Sequence, residues 1–216
     1  MNQPGVETQP LMQMNGHASF NQVFLTDAEV LPDFQVGELG DGWQVATTTL
    51  MHERRAADSL RSWGQASKGD GPIYDQERVE TETTMQPYKW YPQRAGRVDL
   101  IMDRAKETGA IKDPAIRQEI AKLMTLHKSA EWTARRARAA QEQGKPQGPE
   151  GSLGKLAASN VARAAAKVHT LISGADAMLT GEDSPMDGTI AEILVSFPAS
   201  SIAGGTDEIQ KNIISE

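Results

Sequence analysis

The sequence contains no cysteine. That excludes disulfides, thiolate metal sites and a thiol nucleophile. Aromatic residues make up only 5% of the chain and hydrophobic residues 38%. With many alanines among them, this balance favours packed helices over an all-β core. No apolar run approaches the ~20 residues needed to span a membrane, and the N-terminus lacks a signal-peptide pattern. The expected setting is therefore soluble and cytoplasmic, without a membrane partner. Positive charge is also in deficit: the net charge is -7, which argues against a general nucleic-acid binder. Arg135, Arg136 and Arg138 form a small basic cluster, the solvated face of an Ala-rich helix. No G-x-S-x-G elbow or P-loop occurs. The histidines, His17, His52, His127 and His169, have no helical ligand spacing, so no metal site is expected.

What is present divides the chain. At 216 residues a fold would bury roughly 70% of its unfolded surface, as one large domain or two small ones. In the first forty residues, Pro4-Gly5, Pro10, Asn15-Gly16 and Pro32 punctuate short β-branched and aromatic runs such as Phe20–Leu25. Two or three strands are predicted there. They cannot close a core alone, so residues 1–38 read as the remnant of an incomplete β domain. Gly37 to Gly42 (GELGDG) forms a turn, and its glycine spacing is not the dinucleotide fingerprint.

Residues 39–216 read as a mainly α, antiparallel helical bundle. A helix starts at Trp43. A polar excursion follows over 67–96, ending in the aromatic cluster Tyr88, Trp90 and Tyr91. A short helix is expected from Arg97 to about Thr108. Asp113-Pro114 marks the start of a long helix, with Ile116, Ile120, Leu123, Met124 and His127 on one stripe; His127 reads there as a packing residue. A second long helix is expected from Leu153 to Leu179, where Ala164-Ala165-Ala166 allows close approach of backbones. After a loop, Ile190 to Phe197 is apolar, and Gly204-Gly205-Thr206 opens the last helix.

Two features carry possible chemistry. On the helix after Trp43, Ala46, Leu50, Glu53, Ala57 and Leu60 recur at steps of three and four and so share a face. A carboxylate buried on such a face must be protonated, paired or employed in chemistry, and desolvation would raise its pKa toward that of a base. The alternative is a glutamate at the stripe's edge, paired with Arg54 or a partner helix. The second feature is Gly204-Gly205-Thr206, where a backbone can pass close to another group ahead of free helix N–H donors. Its alternative is a tight turn and N-cap, with Asp207 and Glu208 balancing the helix dipole.

Three segments in order, FNQVFLTDAEVLPDFQVGELGDGW, TLMHERR and SSIAGGTDEIQKNIISE, resemble the second half of acyl-CoA dehydrogenases. In that family a β domain ends in an F-N-x-V-x-F-type strand and a G-x-G-W step into a C-terminal bundle, which closes with a Gly-Thr-x-x-Ile-Gln helix. The resemblance implies α,β-dehydrogenation of an acyl-CoA thioester with FAD as hydride acceptor. An electron-transfer flavoprotein and a homo- or hetero-oligomeric assembly are implied as partners. Many members carry the catalytic base directly before Gly-Thr, a position that is Gly204 here. A minority carry it on the first bundle helix before an arginine, which is the place of Glu53-Arg54. The resemblance therefore implies Glu53 as the base, and this depends on Glu53 facing inward. Arg54 and Gly205 fall at substrate positions, and Thr206, Asp207 and Glu208 in the stretch that contacts FAD. Glu208 replaces the usual glutamine. The family's R-x-x-F-G motif is reduced to Ala105-Lys106-Glu107-Thr108-Gly109, with Arg104 one position out. The family's N-terminal helical domain and most of its β domain have no counterpart, so the sequence reads as a C-terminal portion or half of a split enzyme. A bundle that assembles with a dehydrogenase-like partner and does no chemistry is the competing expectation.

Overall fold

The computed structural model describes residues 3–63, 69–85, 92–146 and 148–216. The chain forms two compact units: Met1–Gln13 with His17–Trp90, and Met14–Gly16 with Tyr91–Glu216.

In the first unit, strands β1 (Val6–Leu11) and β2 (Phe20–Leu25) pair antiparallel, with Val6 opposite Leu25 and Leu11 opposite Phe20. The sheet has two strands among the described residues, and Phe20, Val23, Phe24 and Leu25 are all exposed. A lone hairpin has no second layer on which to bury these side chains. Helix α1 (Gly42–Trp63) follows. Its first amide bonds are received by the Asp41 carbonyl, which accepts from Val45 at 3.0 Å. The expected buried face is corrected here: Ala46, Leu50 and Glu53 are exposed, while Arg54, Ala57 and Leu60 lie outside the residues whose side chains are described.

The polar excursion expected at 67–96 is also corrected, because helix α2 spans Pro72–Met85. Pro72 presets the first helical φ. Gln76 donates to Glu80 at 2.7 Å one turn away, and Arg78 pairs with Asp75. Straight-chain residues of this kind lose little rotamer freedom in a helix. Periodicity missed α2 because it carries no apolar stripe. Tyr88, Trp90 and Tyr91 lie outside the described residues.

The second unit is the helical bundle. Its helices are α3 (Ile101–Glu107), α4 (Pro114–Glu142), α5 (Glu150–Ser173), α6 (Thr189–Ser196) and α7 (Asp207–Ser215). The Asp113 carboxylate caps α4 by accepting from Ala115 N at 2.7 Å and Ile116 N at 3.4 Å. Helices α4 and α5 run antiparallel. Early α4 meets late α5 through the Glu119–Lys167 pair at 2.7 Å. Late α4 and early α5 line one groove with Leu126, Ala130 and Thr133 facing Leu153, Ala157 and Asn160. Helix α5 ends earlier than expected, at Gly174 (φ +60), and a 3-10 turn replaces its last residues.

Helix α5 is the centre of the core. Its Val161, Ala165, Val168 and Ile172 pack with Ile101 and Ala105 of α3 and Ile120 and Leu123 of α4. Ala166 faces Ile190 and Ile193 of α6 in a second cluster. The small side chains of Ala165 and Ala166 let neighbours approach, as the alanine run predicts. Ile116 and Met124 are half-buried on the α4 stripe, but His127 is exposed. The stripe rotates away from α5 by that turn, which overturns the packing role expected for His127.

Candidate functional site

The glycine step before α7 is the best-defined candidate site. Gly204 and Gly205 take positive φ values of +70 and +94, a region in which only glycine is free of Cβ crowding. Both carbonyls accept from the Gln210 side-chain amide, at 3.1 and 3.2 Å. A Cβ on Gly205 would meet that amide at 2.7 Å, whereas one on Gly204 would meet nothing within 4 Å. The outer side of the turn is thus open and its inner side filled. Thr206 is the N-cap, its hydroxyl accepting from Ile209 N at 3.3 Å.

Asp207 is buried and its two carboxylate oxygens are both engaged. Oδ1 accepts from Lys155 Nζ at 3.3 Å, and Oδ2 from Ser159 Oγ at 2.9 Å and Arg163 at 3.1 Å. Arg163 also donates to Ser201 Oγ at 2.9 Å, and the Ser159 and Ser201 hydroxyls are 2.8 Å apart. A serine hydroxyl has one hydrogen. Ser159 gives its own to Asp207, so Ser201 donates to Ser159. The donors then run Arg163 to Ser201 to Ser159 to the carboxylate, each bond polarising the next. Burial pushes the Asp207 carboxyl up, but the donors from Ser159, Arg163 and Lys155 outweigh it and hold the group below its usual range. Lys155, Ser159 and Arg163 recur every four residues along one face of α5, a polar stripe that sequence periodicity could have found.

Two other expected residues, Glu208 and Glu53, take no part in these hydrogen bonds. Glu208 is exposed on α7. Glu53 is exposed on α1, in the first unit. The structure therefore does not supply the desolvated setting that was expected for Glu53.

A buried pair that the sequence reading passed over lies between α3 and α5. Arg104, one position off the family's arginine, is turned into the core. Its guanidinium donates to His169 Nδ1 at 2.8 Å and to Ser173 Oγ. His169 is fully buried, and its Nε2 is 3.1 Å from the carbonyls of both Gly96 and Arg97. Two carbonyl neighbours require Nε2 to carry the hydrogen, and a guanidinium neighbour requires Nδ1 to accept. The imidazole is therefore neutral. Its pKa is lowered to about 4, first by burial and further by the Arg104 charge, against the pull of the two carbonyls. The signal was available: His169 follows Val168 and lies four residues after Ala165, on the buried side of α5.

With this geometry in place, comparison with known proteins defines the class. Residues 95–216 match the family model described as acyl-CoA dehydrogenase, C-terminal domain. Over its whole length the chain is 29% identical to acyl-CoA dehydrogenase IpdE1 of Mycobacterium tuberculosis and covers 48% of that protein. It is 31% identical to IpdE1 of Mycolicibacterium smegmatis, again over its whole length, covering 46% of it. The chain thus spans about half the length of the curated relatives it matches.

Among solved structures, the Tcur3481-Tcur3483 steroid ACAD superimposes with a TM-score of 0.67 at 17% identity, over 98% of this chain and 48% of that one. A glutaryl-coenzyme A dehydrogenase complex gives 0.63 at 19% identity, over 99% of this chain and 47% of that one. At such identities the likeness speaks for the fold alone. The chain belongs to the acyl-CoA dehydrogenase family, and residues 95–216 are that family's C-terminal helical domain.

Proposed function

We propose that this chain supplies the C-terminal half of an FAD-dependent acyl-CoA dehydrogenase, which converts an acyl-CoA thioester to its trans-2-enoyl product. The observation that supports this reading is the match along the whole chain to two curated acyl-CoA dehydrogenases. Glu53 takes the α-proton, because Gly204 stands where many members carry the base. Glu53 is exposed here, so this role requires that acyl-CoA and the remaining half of the fold cover it. Arg54 and Gly205 border the acyl-CoA.

The glycine turn fits the edge of a cofactor: its outer side is open at Gly204, and it precedes a helix N-terminus, which favours an anionic or polar group. Thr206 and Glu208 would face FAD, with Asp207 behind them. When bound, FAD supplies the acceptor for the hydride that leaves the β-carbon. The chain's own part is to hold the proton-accepting carboxylate and the loop in register with the Cα–Cβ bond. Reoxidation by an electron-transfer flavoprotein, a homo- or hetero-oligomeric assembly, a role in lipid β-oxidation and a cytoplasmic location complete the proposal. No described helix is long and apolar enough to cross a membrane.

The test is the flavin spectrum of the chain, alone and assembled with the other half of the fold, before and after addition of acyl-CoA. Glu53→Gln is expected to retain FAD and lower the rate of bleaching about 10²- to 10⁴-fold. Bleaching at the wild-type rate would remove Glu53 from the mechanism.

A second reading, a non-catalytic bundle that assembles with a dehydrogenase-like partner, draws support from the exposure of Glu53 and from Arg104 being committed to the core. It predicts stable assembly without any flavin bound at this chain's glycine turn.

A further inference from the structure

Helix α7 is held to the bundle in an unusual way. Its only buried residues are Asp207 and Gln210, both polar. None of its residues belongs to either apolar cluster of the core; Ile209 and Ile213 are exposed and Ile214 is half-buried. A helix of nine residues does not persist by its own propensity, so it needs a dock. Among the described residues, Gln210 and Thr206 bond only within the loop and α7 themselves. They make the glycine turn and the helix one body without fixing where that body sits. Asp207 is different: its partners Lys155, Ser159 and Arg163 stand on three successive turns of α5, and the chain of donors extends to Ser201. Helix α5 in turn carries more buried residues than any other helix of the unit.

We propose that Asp207 is the positioning residue of the Gly204–Gly205–Thr206 turn, a carboxylate latch that registers the turn and α7 against α5. The inference rests on the preceding reading only where it adds that the registered turn meets FAD and acyl-CoA. Asp207 is buried, and its carboxylate is turned to α5, where it accepts three hydrogen bonds from the protein. Its contribution passes through the turn. Two cations beside one carboxylate also leave the latch with a net positive charge, so replacing Asp207 by a neutral residue exposes Lys155 and Arg163 to mutual repulsion.

The test measures amide hydrogen exchange on the full chain for wild type, Asp207→Asn and Ser159→Ala. Asp207→Asn is expected to speed exchange over residues 202–216 roughly 10- to 100-fold, with α4 and α5 unchanged. Ser159→Ala, which keeps the carboxylate and both cations, is expected to give a smaller increase in the same segment. Unchanged exchange over 202–216 in Asp207→Asn would overturn the latch. A uniform increase through α4 and α5 would overturn it too, since Asp207 would then be an ordinary contributor to global stability. Should Asp207→Asn fail to fold, the segment-specific increase in Ser159→Ala decides alone.

FAD affinity, read by flavin fluorescence in the assembled protein, separates the latch from the functional reading. A loosened turn with about tenfold weaker FAD binding supports both. A loosened turn with unchanged affinity overturns the link between turn and flavin. A wild-type protein that binds no flavin overturns the functional reading and leaves the latch standing.

Discussion

His169 makes the bundle's stability depend on pH, in a direction fixed by its surroundings. In the unfolded chain its pKa is the ordinary 6.5, and in the folded chain it is about 4. The unfolded state therefore takes up a proton first as the pH falls. The contribution of His169 to stability is complete above pH 6.5 and drains away between 6.5 and 4. For these two values, linkage gives a loss of ~2 kcal/mol between about pH 7 and about pH 5. That corresponds to a fall in melting temperature of roughly 4–8 °C. The proton cannot be accommodated because Nε2 already donates to the Gly96 and Arg97 carbonyls and Nδ1 faces the Arg104 guanidinium. A protonated ring would set two cations against each other out of contact with water.

The assay is urea unfolding of wild type and His169→Gln at a series of pH values. The variant is expected to be less stable near neutrality by about 2–4 kcal/mol, because Arg104 loses its buried acceptor. The gap should narrow by ~2 kcal/mol toward pH 5, since only the wild type has the titrating ring. His17, His52 and His127 are common to both proteins and cancel in the difference. If the two curves run parallel through this window, the neutral, Arg-facing imidazole is wrong.

Three further outcomes follow from the same geometry. Gly96→Ala should destabilise the bundle by about 2–4 kcal/mol in thermal unfolding: Gly96 has φ +77, and a Cβ there would meet Ala162 O and Ala165 Cβ, each at 2.8 Å. Asp113→Ala should cost about 1 kcal/mol in urea unfolding through loss of the α4 cap, and Asp113→Asn should recover most of it. Asp207 has a depressed pKa, so its contribution is present above the ordinary carboxylate value and lost as pH falls through the folded one. Wild type and Asp207→Asn should accordingly differ in α7 exchange near neutrality and converge in strong acid. A constant gap would mean that charge is not what Asp207 contributes.

The sequence by itself determined the helices whose signals are local. Asp113-Pro114 gives the start of α4 because a carboxylate cap and a preset φ act within one turn. The glycines at 204 and 205 mark the turn before α7 because only glycine takes those dihedrals freely. The ordered motifs also determined the family, since they record a whole fold in a few residues. Helix α2 stayed hidden because its stabilisation lies in exposed charged side chains that leave no apolar period.

Tertiary structure decided everything that depends on a partner from elsewhere in the chain. Periodicity put Glu53 on an apolar face of α1, but burial needs a surface to press against, and the described residues of that face, Ala46, Leu50 and Glu53, are exposed. Arg104 and His169 are 65 positions apart and become one buried unit, a guanidinium on a neutral imidazole, only when α3 packs on α5. Asp207 reads as a dipole-balancing acid at the start of a helix. It becomes a latch because folding brings three donors, one per turn of α5, to within hydrogen-bond reach of a single carboxylate.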